Sequence, residues 1–159
     1  MLQLAEDLRG GASWRELTRK RVPQLIQNTF PFFSVDTLEY LQKGGRIGKI
    51  TAVAGTMLQI KPILTFAQDG QLQSIAKVRG RNLVIRKLIE LVEDRHAGAA
   101  RYNLAFASGG APAAEVETLR QKLTAALPDY DHIWSGELDG TLSVYIGDGI
   151  LGTGVQVLD

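Results

Sequence analysis

A chain of 159 residues is about one domain's worth, which excludes two independent domains. Lysine and arginine total 18 against 17 acidic residues, so the net charge of +1 provides no field that argues for nucleic acid or an anionic surface as partner. The absence of cysteine excludes a disulfide frame, a thiolate zinc site and a Cys nucleophile, two histidines leave little for a His-based metal site, and 17 glycines call for tight turns or close backbone approach.

The chain opens on a helix over 2–9, stopped by Gly10 and Gly11. Ser13 and Glu16 then have the spacing of a capping box that starts another helix, with Leu17, Leu25 and Ile26 as its apolar stripe and Pro23 placed to kink or split it. Phe30, Pro31, Phe32 and Phe33 form an extended segment. Asp36 followed by Glu39 predicts a capped short helix that Gly44 and Gly45 terminate. The apolar run 50–60 alternates too little for a strand and is expected to be a short buried helix ending before Pro62.

Ile63 to Phe66 and Leu72 to Val78 predict a hairpin turned at Asp69 and Gly70. From Asn82 to Asp94, Val84, Ile85, Leu88, Ile89 and Val92 share one face of an amphipathic helix. A strand at Leu104 to Ala107, a helix at Ala113 to Leu127, a strand from Ile133 and a last strand at Val155 to Leu158 complete the chain. The glycine run from Gly147 to Gly154 contains a formal G-x-G-x-x-G, but no helix can follow it, so it predicts a close-packed loop and no dinucleotide site. Ser108, Gly109 and Gly110 lack the frame of a nucleophile elbow and are read as a loop, and His96 and His132 as surface residues. This order predicts an α/β two-layer sandwich: a mixed or mainly antiparallel sheet with helices on one side.

Two basic clusters are chemically suggestive. The double-glycine turn would let backbone N–H groups face outward beside Arg46, and Arg79 and Arg81 flank the start of the Asn82 helix, where anions are favoured. Each also has a plain structural reading, as a helix cap and a solvated strand end.

Phe33, Ser34, Val35, Asp36, Thr37, Leu38, Glu39, Tyr40 and Leu41, then Lys43 to Ile47, Leu58 to Leu64 and Lys77 to Arg81, together resemble the DegV family of bacterial fatty-acid-binding proteins. The resemblance implies the C-terminal lobe of a two-lobed carrier, with 31–159 as the lipid-binding lobe and 1–30 a helical remnant or linker from an N-terminal lobe outside this chain. It implies a carrier and not an enzyme, one that presents a long-chain fatty acid to a fatty acid kinase; no cofactor, metal or catalytic residue is expected, and with neither a signal-peptide pattern nor a membrane span a cytoplasmic protein is the default. Ile47, Val53, Met57, Leu58, Ile60 and Ile63 would surround the acyl tail, and Arg46 and Arg79 would face the kinase. The family's His-x-Gly-Pro-Gly is replaced here by Tyr145, Ile146, Gly147, Asp148 and Gly149, so Tyr145 would meet the head group as a neutral donor and Asp148 would oppose a carboxylate. The match also makes Asp139 and Gly140 the start of a short helix, where pattern alone makes a hairpin turn. Two other classes remain: an enzyme domain that clamps an anionic or phosphate substrate with Arg46, Arg79 and Arg81, and a structural or regulatory interaction domain without a ligand. No span of ~20 apolar residues exists, and neither nucleic acid nor a membrane span is expected.

Overall fold

The computed structural model describes residues 1–50 and 60–159. Its strands are β1 (Thr29–Ser34), β2 (Ile60–Phe66), β3 (Leu72–Arg79), β4 (Tyr102–Gly109), β5 (His132–Glu137) and β6 (Ile150–Val157). They form one mixed sheet in the order β3-β2-β1-β6-β4-β5, in which only β4 and β5 run parallel. This is the expected α/β class.

Two long helices, α5 (Arg81–His96) and α6 (Ala113–Ala126), cover one face of the sheet. The alternation of strand side chains decides which residues meet them. Phe32, Ile63, Leu104, Phe106, Leu151 and Val155 point toward Val84, Leu88, Val92, Leu119 and Leu123, and nearly all are fully buried. The α5 periodicity and the Asp69–Gly70 hairpin lie where the residue pattern placed them; Gly70 takes a positive φ of 81°, and the Ala67 N–H donates to Gln71 O at 2.8 Å.

Five local expectations are corrected. β2 begins at Ile60, three residues before its predicted start, and includes Pro62, which pairs with Lys77 of β3 and lies beyond the β1 pairs Phe33–Leu64 and Ser34–Ile63. The rest of the helix expected over 50–60 lies outside the described residues. β6 starts at Ile150, inside the glycine run read as a loop, and Ser108 and Gly109 belong to β4. α4 (Glu39–Lys43) is capped by no side chain of Asp36, whose carboxylate is instead held by Lys61 Nζ at 2.8 Å and Arg81 Nη1 at 3.2 Å. α7 (Gly140–Ile146) replaces the hairpin turn, because Asp139 accepts from the Leu142 N–H and caps a helix, as the family resemblance implied.

The first 27 residues pack on this same sheet. α1 (Leu2–Arg9) is followed by a capping box at Ser13 and Glu16 that opens α2 (Trp14–Glu16). The element divides at Pro23 as expected: a π turn over Leu17–Arg21, closed from the Val22 N–H to Leu17 O, leads into α3 (Val22–Gln27) with the proline in its first turn, where its missing donor is harmless. Gln3 of α1 donates to Asp7, and Arg21 Nε donates to Asp7 at 2.7 Å while its Nη1 donates to Leu158 O at 3.0 Å. A domain boundary after residue 30 therefore falls inside β1.

Burial resists ionisation of Asp7, but hydrogen bonds from Gln3 and Arg21, with the guanidinium charges of Arg21 and Arg101, outweigh it and hold the carboxyl below its usual range. The stabilisation is thus complete above about pH 4 and fades as pH falls through that depressed value. Asp7→Asn is expected to cost about 1–2 kcal/mol at pH 7. In unfolding titrations the gap from the parent chain should close toward pH 3; a gap independent of pH would show that the carboxylate charge does not hold α1.

Candidate functional site

Among the described residues, the sheet face opposite α5 and α6 is covered only at its ends. At one end Val35, Leu41, Ile50, Leu64 and Ile150 form a second buried cluster, joined by Phe33, Ile47, Leu138 and Ile146. Between that cluster and α1 lies a groove of about 380 Å3 that no residue of α5 or α6 lines.

Register explains why no described side chain fills it. Across β1, β6, β4 and β5 the open face reads in rows: Thr29, Gln156, Asn103, His132; then Pro31, Gly154, Ala105, Trp134; then Phe33, Gly152, Ala107, Gly136. Glycine and alanine occupy the middle of the last two rows, so the floor carries almost no side chains. A methyl group on Gly154 would lie 2.9 Å from Phe30 O, so a side chain there forces the backbone to shift, and one on Gly152 would lie 3.1 Å from the Phe33 Cβ, which would have to give by a few tenths of an ångström. Phe33 and Phe66, their rings 6.2 Å apart, form one wall, Trp134 stands opposite, and Leu138, Leu142 and Ile146 overhang the far end. Phe66 and Leu142 are about half exposed, so the groove opens to solvent.

The first row closes the near end with side chains. Asn103 Nδ2 donates to Gln3 Oε1 at 2.8 Å and to Gln156 Oε1 at 3.2 Å, and Gln156 Nε2 donates to Thr29 Oγ1 at 2.9 Å. The polarity of this relay is forced from both ends. Asp7 can only accept, so Gln3 must present its amide N to Asp7 and its oxygen to Asn103; Thr29 gives its proton to Leu25 O at 2.6 Å, so it must accept from Gln156. Asn103 Oδ1 stays buried without a partner among the described residues. His132 Nε2 lies 2.8 Å from Glu6 of α1 and its ring stacks on Trp134, so it too closes this end, while His96 packs edge-on against Tyr102.

A family model described as an uncharacterised protein of the DegV family matches residues 1–157. The chain belongs to the DegV family. It is 33% identical over 133 residues to a DegV domain-containing protein of Clostridium acetobutylicum, covering 84% of this chain and 46% of that one. A second relative, from Clostridium perfringens, is 27% identical over 159 residues, covering 98% of this chain and 54% of its own. This chain thus spans about half the length of the curated relatives it matches. Among solved structures, one described as fatty acid binding of a DegV family protein from Thermus thermophilus superimposes with a TM-score of 0.89 at 28% identity, covering 99% of this chain and 55% of that one. DegV from Bacillus subtilis, described as a fatty acid binding protein, gives 0.80 at 26%, covering 99% and 55%.

Against the DegV resemblance, the residues assigned to the acyl tail are scattered. Ile63 is fully buried beneath α5, Ile47 packs in the second cluster, Ile60 opens β2, and Val53, Met57 and Leu58 lie outside the described residues. None of Ile47, Ile60, Ile63 and Tyr145 lines the groove. Its walls come from residues whose signal was the every-second-residue pattern of Phe33, Ala105 and Ala107, legible only once the strands are in register.

Tyr145 lies beneath Arg46, whose guanidinium carbon is 4.4 Å from the ring centroid. Arg46 and Arg79 are both exposed, and no carboxylate of the described residues pairs with either. The double-glycine turn offers no outward N–H groups: Gly45 donates to Gln42 O and Arg46 to Leu41 O at 2.8 Å, a helix C-cap closed by Gly45 at φ 68°. A phosphate clamp of Arg46, Arg79 and Arg81 fails at Arg81. Its Nε and Nη2 lie 2.7 and 2.6 Å from Glu115 Oε2, and its Nη1 donates to Gly149 O at 2.7 Å and to Asp36.

Arg81 is therefore a clasp between α5, α6 and the start of β6. Arg81→Ala should destabilise the chain by about 2 kcal/mol or more, because it strands Glu115 and Gly149 O. Arg46→Ala should change stability by less than about 0.5 kcal/mol. Denaturant unfolding of the two variants checks this; equal losses would mean that Arg46 is also structural.

Proposed function

We propose that this chain is the acyl-holding lobe of a fatty acid carrier, whose groove takes the apolar tail of a long-chain fatty acid. The observation that carries the reading is an apolar groove floored by Gly152, Gly154, Ala105 and Ala107 on the sheet face opposite α5 and α6, which the described helices cover only at its ends. An engineered cavity of roughly 150 Å3 holds the six carbons of benzene, so about 380 Å3 holds roughly fifteen carbons at the same density. Fatty acid binding is what the Thermus thermophilus and Bacillus subtilis structures are described by, at 28% and 26% identity. An interaction domain without ligand has no use for such a groove.

The head group is assigned to the corner of Tyr145 to Gly149, where the family resemblance places its His-containing motif. Tyr145 offers a neutral hydroxyl there, and the exposed Asp148 opposes a carboxylate. The bound acid is presented to a fatty acid kinase, which Arg46 and Arg79 face. Both guanidinium groups are exposed with no described carboxylate to satisfy them, as a docking pair requires.

Delipidated protein titrated with hexadecanoic acid should bind one chain, and Ala107→Phe, which fills the floor, should weaken binding at least tenfold while leaving the fold intact by circular dichroism. Unchanged binding in Ala107→Phe, or none in the parent, would sink the carrier reading. Arg46→Ala and Arg79→Ala should retain acid binding but each lose roughly 30-fold or more in kinase affinity, the scale of a desolvated interface anchor. Kinase affinity unchanged in both would remove the docking role.

A further inference from the structure

We infer that the relay of Gln3, Asn103 and Gln156, buried at Gln3 and Asn103 and half-buried at Gln156, is the end stop that sets how long an acyl chain the groove accepts. The inference rests on the acyl-binding reading and adds the residues that decide chain length. Along the open face the floor changes abruptly, from Gly154 and Ala105 to Gln156 and Asn103 one row further on. At that row Asn103 is 1% exposed and Gln3, laid over it from α1, is 5% exposed, so the two side chains wall the groove off from the separate cleft that Gln3, Asp7, Arg21 and Leu158 line beyond it.

Nor can the row open easily. Asn103 is held by two hydrogen bonds whose donor order is dictated by Asp7 at one end and Thr29 at the other, so turning its amide aside unpairs Gln3 and Gln156 together. Arg21 fixes Asp7, and the His132–Glu6 contact pins α1 to β5 beside the groove. A terminal methyl group that reached this row would have to break buried hydrogen bonds and offer none in return. With the head group at the Tyr145–Gly149 corner, the tail ends here.

The stop therefore lies partly on the first helix of the chain, about a hundred residues from the strand it completes. Gln3→Ala removes the side chain that roofs Asn103, leaves the Asn103–Gln156 and Asp7–Arg21 pairs in place, and extends the groove at this end.

The experiment measures relative affinities of saturated fatty acids of 12 to 20 carbons for the delipidated chain and for Gln3→Ala, by displacement of a fluorescent fatty acid. The optimum should move about two carbons longer in Gln3→Ala, with a change of roughly fourfold per methylene newly buried. Asn103→Ala, which opens the same row from the floor, should move it in the same direction, and Leu83→Ala, on the exposed outer face of α5, should not move it. An unchanged optimum in both Gln3→Ala and Asn103→Ala would overturn the end stop while leaving fatty acid binding intact; no binding at any length in the parent would instead overturn the carrier reading on which it rests. Tighter parental binding of 16-hydroxyhexadecanoic acid than of hexadecanoic acid would also overturn it, since that would make the row a recognition point in which Asn103 Oδ1 accepts a ligand hydroxyl.

Discussion

β6 lies so close to β1 that the chain has no room for a side chain at Gly154, where a single methyl group would crowd the Phe30 carbonyl at 2.9 Å. Much else depends on this approach. It places two glycines in the middle of a central strand, positions that ordinarily weaken a sheet by removing side-chain contacts and by raising the entropy lost on folding. The loss falls on one face alone. On the other face Leu151 and Val155 of the same strand are buried against the helices, so the strand is secured from behind while its front is bare.

The glycines at the mouth of that strand serve a different end. Gly149 leaves space that the Asp36 carboxylate fills, Gly147 leaves space for the Tyr40 ring, and Gly110 lies beneath Asp148. Backbone and side chain interlock there in place of the usual packing of side chain on side chain. Lys61 and Arg81 both reach Asp36, so the corner where the loop after β1, β2, α5 and β6 converge is tied by charge where it lacks apolar bulk.

How far residues foretold structure depended on how local each cause was. The α5 stripe of Val84, Ile85, Leu88 and Val92, the Ser13–Glu16 box and the Asp69–Gly70 turn are decided within a few residues, and all were legible. The first half of β6 was not, because four glycines interrupt Gly147 to Gly154 and leave Ile150 and Thr153 as its only β-branched residues; its extended form is imposed by β1 and β4 on either side. Asp36 misled for a related reason: its spacing to Glu39 fits a cap, but two cations distant in sequence compete for its carboxylate. The DegV resemblance did supply α7 and the expectation of an apolar tail site, while the groove itself required the register of four strands. No pattern in the chain announces the contact of Gln3 with Asn103, which joins residues a hundred positions apart.

The alternation of side chains across the strands has a consequence for how this lobe can change. Phe32, Leu104 and Phe106 hold the hydrophobic core, whereas their immediate neighbours Phe33, Ala105 and Ala107 shape the groove and contribute little to that core. Consecutive residues thus answer to different demands. Bulk added or trimmed at the odd positions alters the shape of the groove without passing through the packed layer behind it, so the groove can be reshaped while the melting behaviour stays nearly constant. A slip of one residue in pairing would exchange the two sets, filling the groove with Phe106 and leaving the helices to rest on alanine.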